Sequence, residues 1–293
     1  MQPKLIYTVK KQENYYPCAL TIAGSDSCGG AGIQADLRTF SAIGVYGCSA
    51  VTAVTAQTPG KVSRVDVMPP EAVSAQVEGV LSCFRIAAIK TGMLCNSSII
   101  RAVAASLGKY EKKIPLVIDP VMISTSGHEL LEEEAVAVLK KELFPLAAWI
   151  TPNLPEAEFL LSRKLPDMTA RIKAAEEIAT RWKCSCYLKT GHDLENKEEA
   201  CDIVVHNKRV YTLTSPVIPD TKATHGTGCT LSSAIAGLLA AGNSWKDCVC
   251  EAKAFVYGSI LEAAIVGPKC EAMYPPLENY RPLTAIAEWK GRK

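Results

Sequence analysis

The chain has 293 residues, 48% of them hydrophobic and 21% charged, with a formal net charge of +2. That is enough apolar material for a substantial core and excludes disorder, while the near-neutral balance, few aromatics and absence of a basic block exclude nucleic acid as the main partner. No apolar run reaches membrane-spanning length and the N-terminus (MQPKLIYTVKKQENYYP) lacks a signal-peptide core, so a cytoplasmic protein without membrane contact is expected.

Residues 1–17 read as a polar N-terminal extension and 18–293 as one domain, since no repeat, linker or composition shift divides them. Residues 18–23 form an apolar, strand-like run, followed by a glycine-rich turn and a helical pattern over 31–43. Two extended runs, 46–56 and 62–67, precede a helix over 70–81, a strand over 86–90 and a helix over 97–107. The spacing then predicts a strand at 116–119, a helix at 130–143, a strand at 149–151, two helices within 155–182 and a strand at 186–190. A hairpin of 202–205 and 210–213 turns around Asn207-Lys208, and helices over 227–241 and 245–266 close the chain. Such alternation specifies an α/β fold with a mainly parallel central sheet covered by helices on both faces. Ligands in these sheets bind beyond the carboxyl ends of the strands. Gly24–Gly32, Asp119-Pro120, Thr151-Pro152-Asn153 and Lys189-Thr190-Gly191-His192 lie at such ends and are expected to converge on one crevice.

The most informative run is Thr224-His225-Gly226-Thr227-Gly228-Cys229-Thr230, which leads directly into an apolar helix. Gly226 and Gly228 let backbone amides crowd together at the positive end of the helix dipole, where an anion such as phosphate can sit. Cys229 falls in the first turn, where a thiol is easier to ionise. A base beside an anion cradle points to phosphoryl transfer onto a small hydroxyl compound; the alternative is a glycine turn before an ordinary core helix. Asp119 and Glu156 could hold Mg²⁺ through water beside a nucleotide's phosphates, although a place near a helix N-terminus would by itself account for Glu156. The Gln57 carboxamide offers a donor beside an acceptor, matching an amino group next to a ring nitrogen, as in adenine or an aminopyrimidine. Gly30-Ala31-Gly32-Ile33-Gln34-Ala35 fits G-x-G-x-x-A, but residues 51–57 contain no carboxylate to hold a ribose, which argues against a nicotinamide oxidoreductase. That turn reads instead as bare backbone packed against a flat ligand. The 12 cysteines contain no C-x-x-C and read as reduced core residues, not as a metal–thiolate site. His128, His192, His206 and His225 show no metal-ligand spacing; His206 is expected to face solvent beside the hairpin, and His225 either touches phosphate or has a structural part.

Six stretches, ALTIAGSDSCGGAGIQADLRTFSAIGVYGCSAVTAVTAQ, IKTGML, VIDPVMISTSGHELL, ITPNLPEAEFLL, LKTGH and HGTGCTLSSAIAGLLAAG, closely resemble the hydroxymethylpyrimidine/phosphomethylpyrimidine kinases of thiamine biosynthesis, in the ribokinase-like superfamily. They run in family order from Ala19 to Gly242, over most of the chain. The resemblance implies a three-layer ribokinase-like fold and ATP-dependent phosphorylation of 4-amino-5-hydroxymethyl-2-methylpyrimidine, then of its monophosphate to the diphosphate. It also implies ATP and Mg²⁺ as cofactors, small molecules as partners and a homodimer. On that resemblance Gln57 holds the aminopyrimidine edge, the backbone of Gly24 and Ala31 lines the ring pocket, and Asp36 belongs to the substrate site. Cys229 takes the position of the catalytic base, its pKa lowered by the helix start, and Gly226, Thr227 and Gly228 form the anion hole. Asn153, Lys189 and Thr190 fall to the nucleotide, and Asp119 and Glu156 to the metal. The chain departs from the pattern at Ser27-Cys28, where Pro-Ser or Ser-Ser is more familiar, and after Val266, where the glycine-rich ending is missing. The neighbouring readings are a pyridoxal or pyridoxine kinase, whose substrate also carries CH₂OH on a ring, and a catalytically silent pyrimidine or vitamin B6 sensor.

Overall fold

The structure, a computed structural model, describes residues 15–58, 60–110, 114–122, 131–191, 198–221, 223–268 and 270–290. In chain order the elements are β1 (Cys18–Asp26), α1 (Gly32–Ile43), β2 (Tyr46–Thr58), β3 (Lys61–Val67), α2 (Pro70–Cys83), β4 (Ile86–Thr91), α3 (Ser97–Gly108) and β5 (Leu116–Ile118). They continue with α4 (Glu133–Val138), β6 (Trp149–Ile150), α5 (Leu154–Leu161), α6 (Met168–Trp182), β7 (Ser185–Leu188), β8 (Glu199–His206) and β9 (Arg209–Pro216). The last are α7 (Thr227–Ala240), α8 (Trp245–Leu261), β10 (Ala264–Gly267), β11 (Cys270–Ala272) and β12 (Ala285–Glu288).

One ten-stranded sheet, ordered β12-β9-β8-β7-β6-β5-β4-β1-β2-β3, organises the fold. From β2 through β1, β4, β5 and β6 to β7 all pairs are parallel, so these strands end on the same edge. β3 on one side and β8, β9 and β12 on the other pair antiparallel. Both faces of the parallel core are buried, as the continuous apolar runs predict. Leu20, Ile22, Ile89, Leu116, Ile118, Ile150 and Leu188 pack on one face with residues from α2 to α6. Their neighbours Ala19, Ala88, Val117, Trp149 and Tyr187 point the other way, into α1, α7 and α8. This period-two alternation gives three layers, helix–sheet–helix. α7 is apolar nearly all round, which suits a helix wedged between the sheet and α1 and α8.

The predicted elements stand with three differences. The helix expected at 245–266 stops at Leu261, and β10 then pairs with β11 as a separate two-stranded ribbon. Ile265 and Val266 are β-branched and the turn follows at Gly267-Pro268, a local preference for extended chain that outweighs the helical spacing. The helix expected at 130–143 is α4, continued by a wider helical turn over Leu139–Leu143; its residue 130 lies outside the described residues. β12 has no counterpart among the predicted elements; it closes along β9 at the sheet edge.

Candidate active site

The carboxyl ends of the parallel strands open onto a cavity of ≈ 190 Å³, lined by the β1–α1 turn, the end of β2, Lys90, Asp119, Glu156, Lys189 and the start of α7. Each motif expected to converge contributes to it, through Gly24–Asp26 with Ala31 and Gly32, Asp119, Asn153 and Lys189. The first turn of α7, like those of α1, α2 and α4, has no side-chain cap. Asn96, Asn153, Asp167 and Ser244 cap α3, α5, α6 and α8 by accepting a backbone N–H, but no side chain caps α7. Its N-cap, Gly226, has φ 84°, and the stretch from Gly226 to Cys229 faces the cavity. Uncapped amides at a helix start present partial positive charge to whatever occupies the cleft. A side chain at Gly226 is ruled out twice, by this φ and because its Cβ would collide with the Gly30 carbonyl. The two glycine loops are thus locked backbone to backbone.

At the mouth, His225 Nε2 lies 2.9 Å from Asp26 Oδ2 and 3.3 Å from Gln57 Nε2. Gln57 Oε1 also accepts from Thr55 Oγ1 at 3.3 Å. Burial pushes the Asp26 carboxyl up, but His225, the Cys28 thiol and the amides of Ala31 and Cys28 outweigh it and hold it well below the usual range. His225 therefore ties the β1–α1 turn to the end of β2. His206, expected to face solvent, is instead half-buried between Trp149 and Trp245, with ring centroids 5.7 and 4.3 Å away, and bonds Ser185 through Nδ1.

Deeper in the cavity, Cys229 lies beside Lys90. Contrary to the expectation of an eased ionisation, its thiol is pushed up to about 11. Burial is the main cause; Lys90 and the Gly32 amide oppose it, while the Asp36 and Asp119 carboxylates add to it. The helix start does not compensate for a site already rich in negative charge. Asp36, expected at the substrate, is fully buried and does not line the cavity. It receives Lys90 Nζ at 2.9 and 2.8 Å, Thr21 Oγ1 at 2.5 Å and the Ser233 hydroxyl. Its place is structural. Lys90 was not singled out from sequence, where one lysine in an apolar strand has no pattern to mark it.

Lys189 Nζ donates to Asp119 Oδ1 at 2.9 Å, and Ser232 Oγ donates to Asp119 Oδ2 at 3.1 Å. A Cβ added at Gly228 would lie 3.1 Å from Lys189 Nζ, so this ammonium stands against the α7 start. Asn153 and Glu156 form a reciprocal capping box, and Glu156 Oε1 also accepts from the Met122 amide. Glu156 is therefore both helix cap and cavity wall. Burial, with Asp119 adding to it, raises its carboxyl to about 7 against the pull of Lys189 and the Asn153 and Met122 amides. Thr190, expected at the nucleotide, is buried: its amide reaches Asp202 Oδ1 at 3.0 Å and its hydroxyl the Cys201 carbonyl.

A second cavity of ≈ 280 Å³ shares Lys189, Thr227 and Gly228 with the first and extends over β8, β9 and α8. Its floor carries Asp202, bonded to Lys253 at 2.7 Å and to the Tyr187 hydroxyl at 2.9 Å. Sequence reading missed this chamber, since its walls come from ordinary strand and helix residues brought together by the sheet. His128 and His192 lie outside the described residues.

Comparison with known proteins matches this architecture. A family profile described as phosphomethylpyrimidine kinase covers residues 26–273. The chain is 44% identical over 245 residues to a hydroxymethylpyrimidine/phosphomethylpyrimidine kinase of Rhizobium meliloti, spanning 84% of this chain and 91% of that protein. It is 42% identical over 248 residues to a thiamine biosynthesis bifunctional protein of Geobacter sulfurreducens; the match spans 85% of this chain but 50% of that longer protein. Among solved structures, a phosphomethylpyrimidine kinase from Clostridium difficile aligns with TM-score 0.72 and 41% identity over 82% of this chain and 97% of that one. A pyridoxal kinase from Staphylococcus aureus, in complex with AMP-PCP and pyridoxal, aligns with TM-score 0.81 and 30% identity over 94% of this chain and all of that one.

Proposed function

The chain belongs to the phosphomethylpyrimidine kinase family, and from that premise we propose that it moves the γ-phosphoryl group of ATP onto the hydroxymethyl group of 4-amino-5-hydroxymethyl-2-methylpyrimidine. A second transfer, onto the monophosphate, then gives the diphosphate for thiamine assembly. The observation that carries this reading is the pair of cavities meeting at Thr227 and Gly228. Two small molecules in adjoining chambers, with an uncapped helix start between them, is the geometry an in-line transfer needs.

The inner cavity takes the pyrimidine. Gly24 and Ala31 line it with backbone, and Gln57 reads the amino group and ring nitrogen once released from His225. The second cavity takes the nucleotide, with Lys189 reaching the phosphates at the junction and Asn153 across the inner wall. The amides of Gly226, Thr227 and Gly228 meet the charge on the transferred group. The hard oxygens of Asp119 and Glu156, both facing the cavity and within the field of Lys189, suit Mg²⁺ held through water. When bound there, the ion would neutralise triphosphate charge.

Cys229 is the acceptor for the hydroxyl proton. Its thiolate is the minor form, and Lys90 and the Gly32 amide are the groups that stabilise it. Proton loss can come late, because the hydroxyl turns acidic only as its bond to phosphorus forms in a loose transition state.

Pyridoxal kinase is the second reading, favoured by the backbone match to the Staphylococcus aureus enzyme. A substrate panel with ATP decides between them, resolving mono- from diphosphate product. The expected outcome is a higher kcat/KM for the pyrimidine and a loss of about 1–3 kcal/mol in pyrimidine binding on Gln57→Ala. A clear preference for pyridoxal would reverse the assignment.

A further inference from the structure

We propose that Asp26, Cys28 and His225 form a binding site for a soft divalent cation of the zinc class at the mouth of the inner cavity. Among the described residues, this is the one group of three His, Cys and carboxylate donors whose ligand atoms all lie within 4.8 Å of one another. Two of its three distances are close to those a tetrahedral ion requires. Asp26 Oδ2 stands 2.9 Å from His225 Nε2 and 3.3 Å from Cys28 Sγ. Zinc bonds of ordinary length would set these edges at about 3.3 and 3.5 Å, so Asp26 needs to part from the other two donors by only a few tenths of an ångström, while the third edge, His225 Nε2 to Cys28 Sγ, lies within 4.8 Å.

The donors are also held from behind. Asp26 Oδ1 accepts from the Cys28 amide at 2.9 Å, and Oδ2 accepts from the Ala31 amide at 2.8 Å. The His225 ring rests on Gly30, where a Cβ would strike its Cδ2. Such second contacts orient ligands before the ion arrives. Cys28 is exposed, so the site is open to solvent. Gln57 Nε2 lies 3.3 Å from His225 Nε2, and turning its amide over brings Oε1 toward the fourth position; water is the other occupant.

The chemistry balances without a co-reactant. The cation displaces the Cys28 thiol proton to solvent and takes the His225 Nε2 lone pair once the proton that Nε2 donates to Asp26 has passed through solvent to Nδ1. The thiolate and the Asp26 carboxylate together offset its two positive charges. Sulfur and imidazole donors select against Mg²⁺, which prefers an all-oxygen shell, so the ion that accompanies ATP does not compete. The spacing of the cysteines could not disclose this site, because Asp26 and His225 are 199 positions apart in the chain.

Titration of the full-length, metal-free protein with Cd²⁺, followed by its ultraviolet sulfur-to-cadmium charge-transfer band, tests the proposal. Wild type should take up one ion with that band, and Cys28→Ser and His225→Asn should each bind about tenfold or more weakly. Circular dichroism confirms that the variants are folded. Affinity in wild type should fall as pH is lowered, reporting the thiol proton released on binding. An unchanged band and affinity in Cys28→Ser would assign the cadmium to other cysteines and overturn the proposal, as would loss in Cys28→Ser with none in His225→Asn. None of these readings depends on phosphoryl transfer.

Discussion

Cys229 shows how far one side chain's chemistry depends on what surrounds it. Position at a helix start argues for an eased thiol, yet burial and the carboxylates of Asp36 and Asp119 place it at about 11. A base with so high a pKa is mostly protonated at neutral pH, and its active fraction grows with alkalinity. Wild-type kcat should therefore climb from about pH 7 to 9, and Cys229→Ala should lose this slope along with about 10²–10⁴ of the rate. Calorimetric binding of the pyrimidine should be largely retained in the variant. Near-normal kcat in Cys229→Ala would remove the thiol from the chemistry. Gln57 and the Gly226–Gly228 turn line the cavity, as their local pattern led one to expect. Asp36 and Thr190 are buried and do not line the cavity, a placement the sequence did not show, since a polar residue inside a motif looks the same whether it faces a ligand or the core.

Between elements, the Asp36–Lys90 pair is a fully buried tie. One carboxylate on α1 collects Lys90 from β4, Thr21 from β1 and Ser233 from α7, all buried. Burial pulls the Lys90 ammonium down, but Asp36 first, with Cys229 and Asp119, more than restores it, so the lysine stays charged. Asp36→Asn should leave that charge uncompensated and destabilise the fold by about 3–5 kcal/mol in urea unfolding. The double variant Asp36→Leu/Lys90→Met should regain much of the loss. A substrate-binding role would give another result, a raised KM at unchanged stability. Through Ser233 the same carboxylate joins α7 to β4.

For the molecule as a whole, Glu156 makes stability depend on pH. Its carboxyl lies at about 7 in the fold, against an ordinary 4.5. Below 4.5 folded and unfolded chains both hold the proton and the contribution is complete. As pH rises the unfolded chain releases its proton first, so stability declines progressively until the folded-state value near 7 is passed. Thermal unfolding of Glu156→Gln, which never ionises, should lack this decline; a wild-type-like decline in the variant would assign it to other groups. A carboxyl kept at this expense on the cavity wall is what a cation site at the nucleotide phosphates would use.

Local periodicity and backbone freedom at named positions carry the layered α/β fold, the order of its main elements and the glycine turn before α7. The sequence also carried the family, through motifs whose residues are contiguous. The polar residues that line the cavity, the burial that raises the Cys229 thiol, the second chamber beside the first and the meeting of His225 with Asp26 and Gln57 all arise from the packing of segments distant in the chain. Burial and electrostatic fields sum over groups distant in the chain, and no local pattern records that sum.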